Sequence, residues 1–176
     1  HFFIDKMSHD DSPGGNHNGS RTDPLVAYCE GIATVFALMV EGNPIYVDTM
    51  TGGGLNQDYE RAQLTEARGT STGTLTGLVS ENLVVAAIWD LLDESSESHD
   101  TLSLGDEAVM DVLLNYMPTY EAQNQGVAGA DLADFIYGFR QMHPSDSDAI
   151  DRLLTQYAYP AGVAMASPDG GKGKTP

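Results

Sequence analysis

Glu30 is the residue whose chemistry has to be explained first. Between Pro24 and Glu41 it is the only charged residue, set in the run LVAYCEGIATVFALMV. A carboxylate on an apolar helix costs several kcal/mol unless it finds a partner, so the fold has to supply one. Its helical neighbours Val26, Ala27, Ala33 and Thr34, with Gly31 beside it, are mostly small, and another element can approach closely. Two roles stay open on these grounds. Glu30 either pairs with an arginine (Arg21, Arg61, Arg68 and Arg140 are the candidates) or serves as a metal ligand or an acid/base.

Histidine gives the second lead. Three of the five His residues, His1, His9 and His17, fall within the first seventeen positions, interleaved with Asp5, Asp10 and Asp11. Histidine with carboxylate suits zinc, and an all-carboxylate loop suits calcium. The even spacing of these histidines matches no standard ligand pattern. Cys29 is the only cysteine, which excludes an intramolecular disulfide and a Cys-based zinc cluster. Within its apolar run it reads as a small buried hydrophobe.

The elements that must position these groups are helical. HFFIDKMS reads as the end of a helix, followed by a polar loop over residues 8–24, long enough to be functional. Asp23-Pro24 starts a helix that runs to about Glu41 and stops at Gly42-Asn43-Pro44. Residues 45–78 are mixed, with a flexible turn at Gly52–Gly54, a short helix at Gln57–Ala67 and an irregular loop over Gly69–Gly77. Core-spaced Leu83, Val84, Ala87, Ile88, Leu91 and Leu92 predict a helix over Ser80–Asp93. Further helices are predicted over Leu104–Met117, Gly129–Met142 and Ser145–Tyr157, with Ser103/Asp106 and Ser145/Asp148 as caps. The expected fold class is therefore mainly α, five to six helices with little or no sheet. The helical domain spans 1–159, and residues 160–176 form a flexible tail.

Composition limits the partners. Twenty-six acidic residues against eight basic ones give a net charge of −18, which repels nucleic-acid phosphate and anionic lipid. Neither nucleic-acid binding nor a membrane span is expected, because no apolar run approaches the roughly 20 residues that a span needs. A surface of this charge suits a protein that stays soluble outside the cell or that meets cations.

The stretch HFFIDKMSHDDSPGGNHNGSRTDPLVAYCEGIATVFALM, His1 to Met39, resembles the zone that follows the zinc motif in bacterial gluzincin-type metallopeptidases, the thermolysin-like and fungalysin-like enzymes. In those proteins an H-E-x-x-H helix gives two His ligands and a general-base Glu, and a later G-E-G-like helix gives a glutamate ligand. His1 falls where the second His belongs, and Glu30, in CEGIAT, where the glutamate belongs. SENLVVAAIWDLLDE and SLGDEAVMDVL are similar to the helical subdomain beyond it.

The resemblance implies the helical, C-terminal subdomain of a zincin-like metallopeptidase that hydrolyses peptide or protein substrates outside the bacterial cytoplasm. It implies zinc, held by His1 and Glu30, with the first His and the general base upstream of residue 1, so that the isolated chain is expected to be inactive. Thermolysin-like enzymes carry a histidine-orienting acid four positions after the glutamate. Here Thr34 stands there, and its hydroxyl would act behind the ligands. His99, in the loop SESHD, is the candidate for steadying the oxyanion. The alternative reading is a non-enzymatic, acidic, secreted helical module that binds calcium through the Ser8–Asp23 loop or docks another protein.

Overall fold

The computed structural model describes residues 1–15, 17, 19, 21–50, 53–61, 79–94, 100–119 and 129–157. Over these the protein is mostly helical. In chain order the elements are α1 (Phe2–Met7), β1 (Arg21–Thr22), α2 (Pro24–Glu41), β2 (Ile45–Met50), β3 (Gly53–Asp58) and β4 (Val79–Ser80). Then come α3 (Glu81–Leu92), α4 (Gly105–Asp111) running into a π turn at Val112–Tyr116, α5 (Leu132–Met142), a 3-10 turn at Pro144–Asp146, and α6 (Ser147–Gln156).

The centre of the fold is α3. Residues Leu83 to Leu92 are all buried, so the helix is covered on every side, as its apolar run requires. It packs against α2, α4 and α6. Ser80 caps it, accepting a hydrogen bond from the Leu83 N–H. The α2 helix begins at its expected cap, where the Asp23 carboxylate accepts from the Leu25 N–H at 2.9 Å, and it ends at Gly42 in the left-handed conformation (φ 60°). Among the described residues α2 is the one helix long and apolar enough to cross a membrane, yet 56% of that stretch is buried inside the protein.

Gly31 sets how closely α2 and α3 approach. A Cβ there would lie 2.5 Å from Val84 Cγ1, nearer than any real carbon contact. That close crossing brings the first turn of α3 beside the middle of α2, where Glu30 sits.

Two antiparallel strand pairs flank the helices. β1 pairs with β4, and β2 pairs with β3 in a hairpin whose register runs from Ile45↔Asp58 to Met50↔Gly53. The Tyr59 N–H donates to the Pro44 carbonyl at 3.0 Å and closes the hairpin base. The sheet is therefore more than the sequence suggests: Ile45, Tyr46, Val47 and Thr49 supply strand-forming side chains, and the cross-strand ladder extends them into glycine-rich residues 53–58. Gln57 and Asp58 lie in β3, not in a helix, and 62–78 are outside the described residues.

Three helix starts also differ from expectation. α4 begins after Leu104 without a side-chain cap, so Ser103 does not play that part. α5 starts at Leu132, where Asp131 accepts from the Ala133 and Asp134 N–H groups and the Asp134 carboxylate accepts from the Asp131 N–H, a reciprocal box. Ser145 belongs to the 3-10 turn ahead of α6 and its hydroxyl donates to Asp146 instead. The expected tail from residue 160 lies outside the described residues.

Candidate functional site

Glu30 points from the middle of α2 into a cleft of about 520 Å³. One wall is α2, with Ala33, buried Thr34 and Ala37 beside the carboxylate; the hairpin contributes Tyr46, Asp48, Gly54 and Leu55, and Tyr59 follows it. The third side is the start of α3, Glu81 and Asn82, over which the chain at His17 and Gly19 is laid. A volume of this size is ordinary for a small-molecule or side-chain site.

Two imidazoles meet one oxygen of Glu30. His1 Nε2 lies 3.0 Å from Glu30 Oε2, and His17 Nε2 lies 3.3 Å from the same atom. Each ring is anchored through its other nitrogen. His1 Nδ1 is 3.5 Å from Cys29 Sγ, and His17 Nδ1 is 3.2 Å from Glu81 Oε2. Glu81 Oε2 also accepts from the Gly19 N–H at 2.9 Å, while the Gly19 carbonyl accepts from the Ser80 hydroxyl and the Asn82 N–H, both at 3.0 Å. Gly19 has φ +80°, and a Cβ on it would strike the Asn82 side chain at 2.8 Å. The positive φ favours glycine there, and the Gly19 N–H and carbonyl tie this point of the chain to the first turn of α3. Asn82 Oδ1 in turn accepts from the Tyr59 hydroxyl at 2.9 Å, tying the hairpin to α3.

Burial raises Glu30 above the ordinary carboxylate range, with Glu81 and Asp10 pushing the same way and His17 and the N-terminal ammonium opposing. Tyr46 is raised by burial and by Asp48, Glu81 and Glu30, which places those three carboxylates around one end of the cleft. Cys29 is buried and pushed up to about 12, first by burial and then by Asp10, so it is a neutral thiol at physiological pH and neither a nucleophile nor a ligand as it stands.

The two residues expected to share a metal, His1 and Glu30, are thus in contact, although 29 positions separate them. Two ligands bound at about 2.0–2.1 Å in a tetrahedral shell stand about 3.3 Å apart, so both imidazole–carboxylate separations fit an edge of such a shell. The count falls short: among the described residues no group of three or more His, Cys, Asp or Glu side chains is arranged to hold an ion as it stands. Thr34 lies in the cleft wall one turn beyond Glu30, and the carboxylate that orients a histidine comes from α3, as Glu81, rather than from α2. His99 lies outside the described residues.

Arg61 pairs with Asp58 and Arg140 with Asp151, while the Arg21 side chain and Arg68 are outside the described residues. Asp10 and Asp11 turn to separate tasks within the protein. Asp10 Oδ1 accepts from the Ser12 N–H at 2.7 Å, and Asp11 Oδ2 accepts from the Ala130 N–H at 2.8 Å with His9 Nε2 3.0 Å away. Two residues of the site were not singled out from sequence as a pair: His17 and Glu81, 64 positions apart. Their one local signal is Glu81 in the first turn of a well-marked helix, where an acid is favoured anyway.

No protein-family model matches the chain, and no curated protein or solved structure does.

Proposed function

We propose that this chain is the helical half of a zinc-dependent peptidase and that His1 and Glu30 are two of its metal ligands. The observation that carries the reading is the 3.0 Å contact between His1 Nε2 and Glu30 Oε2 at the floor of an open cleft. The gluzincin-like sequence of residues 1–39 supports it independently, because it pairs the same two residues. Bound there, zinc would polarise a peptide carbonyl and acidify a water molecule.

The chain's own residues supply position and surroundings. Small side chains at Ala33 and Ala37 leave room along α2 for a substrate backbone, and the hairpin forms the facing wall. Partial burial of Glu30 makes a cation in the cleft more favourable than it would be in water. Glu81 holds His17 at the rim. The reading places the protein outside the cytoplasm, in keeping with its acidic surface, and treats α2 as a core helix.

The test is cleavage of a quenched-fluorescent peptide library by the protein as its gene encodes it, with any residues that precede His1 included. Hydrolysis abolished by a chelator, restored by zinc and lost in Glu30→Gln is the expected result. A fully folded protein that cleaves nothing, or cleaves equally well with Glu30→Gln, refutes the proposal.

A further inference from the structure

Resting on that reading, we propose that the cleft selects peptide substrates by a basic side chain, lysine or arginine, whose charged end meets Asp48 and whose alkyl stem lies between the hairpin and α2. Asp48 is then the specificity-determining residue of the site.

The argument begins with strand alternation. Residues two apart on a strand share a face, and so do residues directly opposite each other on paired strands. Tyr46 and Asp48 therefore share one face of β2, and Leu55, the register partner of Asp48, joins them from β3. All three line the cleft, whereas Val47, on the opposite face, does not. The facing wall is Ala33 and Ala37 of α2, one helical turn apart and short enough to leave the space between open. The walls thus offer an aromatic ring, an aliphatic side chain and two small residues, with a carboxylate at the edge. That combination suits a long side chain with an apolar stem and a charged tip. Lysine and arginine are such side chains, since they bury the stem and keep the head beside water.

Charge decides the sign of the tip. Three carboxylates line the cleft, Glu30, Asp48 and Glu81, and among the described residues no lysine or arginine does. Two of the three are engaged within the protein. Glu30 is in contact with His1 and His17, and Glu81 with His17 and the Gly19 N–H. Asp48 differs: it is exposed, and among the described residues it has no hydrogen-bond or ion-pair partner. An anionic tip would be repelled there, and a neutral one would gain nothing from it.

The experiment titrates the full chain, with a chelator present so that no metal takes part, against pentapeptides Ala-Ala-X-Ala-Ala. X is arginine, lysine, glutamate or norleucine, which keeps the stem of lysine and drops its charge. Binding is followed by the amide chemical shifts of the β2–β3 hairpin, and each variant is checked for folding by circular dichroism. The arginine and lysine peptides are expected to bind more tightly than the other two. Asp48→Asn should weaken them about 2–5-fold, the usual worth of an exposed ion pair, and leave norleucine unchanged. Asp48→Lys should abolish the preference for a basic residue. Glu41→Gln, which also removes one exposed charge but lies outside the cleft lining, should match the wild type. Hairpin binding with no preference for arginine over norleucine, or a preference that survives both Asp48 variants, overturns the inference and leaves the peptidase reading standing. A chain that binds none of the four peptides overturns it too. An Asp48-dependent basic preference in a protein that cleaves no peptide upholds the selective cleft and overturns only the peptidase reading.

Discussion

Replacing Gly31 by alanine tests whether the close crossing of α2 and α3 builds the site. The added Cβ would stand 2.5 Å from Val84 Cγ1 and 2.7 Å from Val84 Cβ. Ordinary carbon contacts lie at about 3.5–4.0 Å, so the helices must separate by about 1 Å or Val84 must be displaced. Val84 is fully buried on a helix that is covered on all sides, so it has little freedom to yield. Overpacking of this kind costs about 1–3 kcal/mol. Alanine in place of a mid-helix glycine returns up to about 1 kcal/mol.

The net expectation is a loss of about 1–2 kcal/mol, which lowers Tm by about 2–8 °C for a protein of this size. Thermal unfolding followed by far-UV circular dichroism measures it. Adding Val84→Ala should recover only part of the loss, because Val84 Cβ remains in the way. The same shift moves Glu81 relative to Glu30, so metal affinity should fall along with Tm. A Gly31→Ala variant with a raised Tm, the outcome that helix propensity alone predicts, would refute the packing argument.

Three further outcomes follow from other parts of the fold. Asp131→Ala removes the acceptor for two N–H groups at the start of α5, at a fully buried position, and should cost about 1–2 kcal/mol in chemical denaturation. Tyr157→Phe removes a buried 2.7 Å hydrogen bond to Asp90 and should cost about 1–3 kcal/mol with an unchanged denaturant m-value. Asp93 is pushed up to about 9 by burial, then by its hydrogen bond to Glu60 and the nearby carboxylates. The folded state therefore holds a proton there that the unfolded chain releases near pH 4, and stability falls as pH rises from there through about 9. Asp93→Asn should flatten that decline, and denaturation midpoints measured across the pH range would show it.

Much of the frame was legible because local chemistry dictates it. Asp23-Pro24 and Gly42 bound α2 at the positions they predict, and the apolar run from Leu83 to Leu92 identifies the central helix. Glu30 stood out as the one charge in an apolar helix, and its burial against two imidazoles bears out the need for a partner. The hairpin was harder to read, since β3 owes its strand form to pairing with β2 rather than to its own glycine, asparagine and aspartate residues. His17 and Glu81 could not be joined from sequence, because what brings them together is a tertiary fact, the collision-free passage of Gly19 over Asn82. The Asp131–Asp134 box was hidden for a smaller reason. Asp in place of the usual Glu or Gln makes a weak pattern, and the same pattern at Ser103 and Ser145 forms no box.

The central claim is that His1 and Glu30 bind the same metal ion. Crystals of the chain soaked in zinc, with anomalous differences recorded at the zinc edge, test it most directly. The account predicts a peak about 2.0–2.2 Å from both His1 Nε2 and a Glu30 carboxylate oxygen. A map with no peak at that position, and Glu30 still hydrogen-bonded directly to His1 in the presence of zinc, would contradict it.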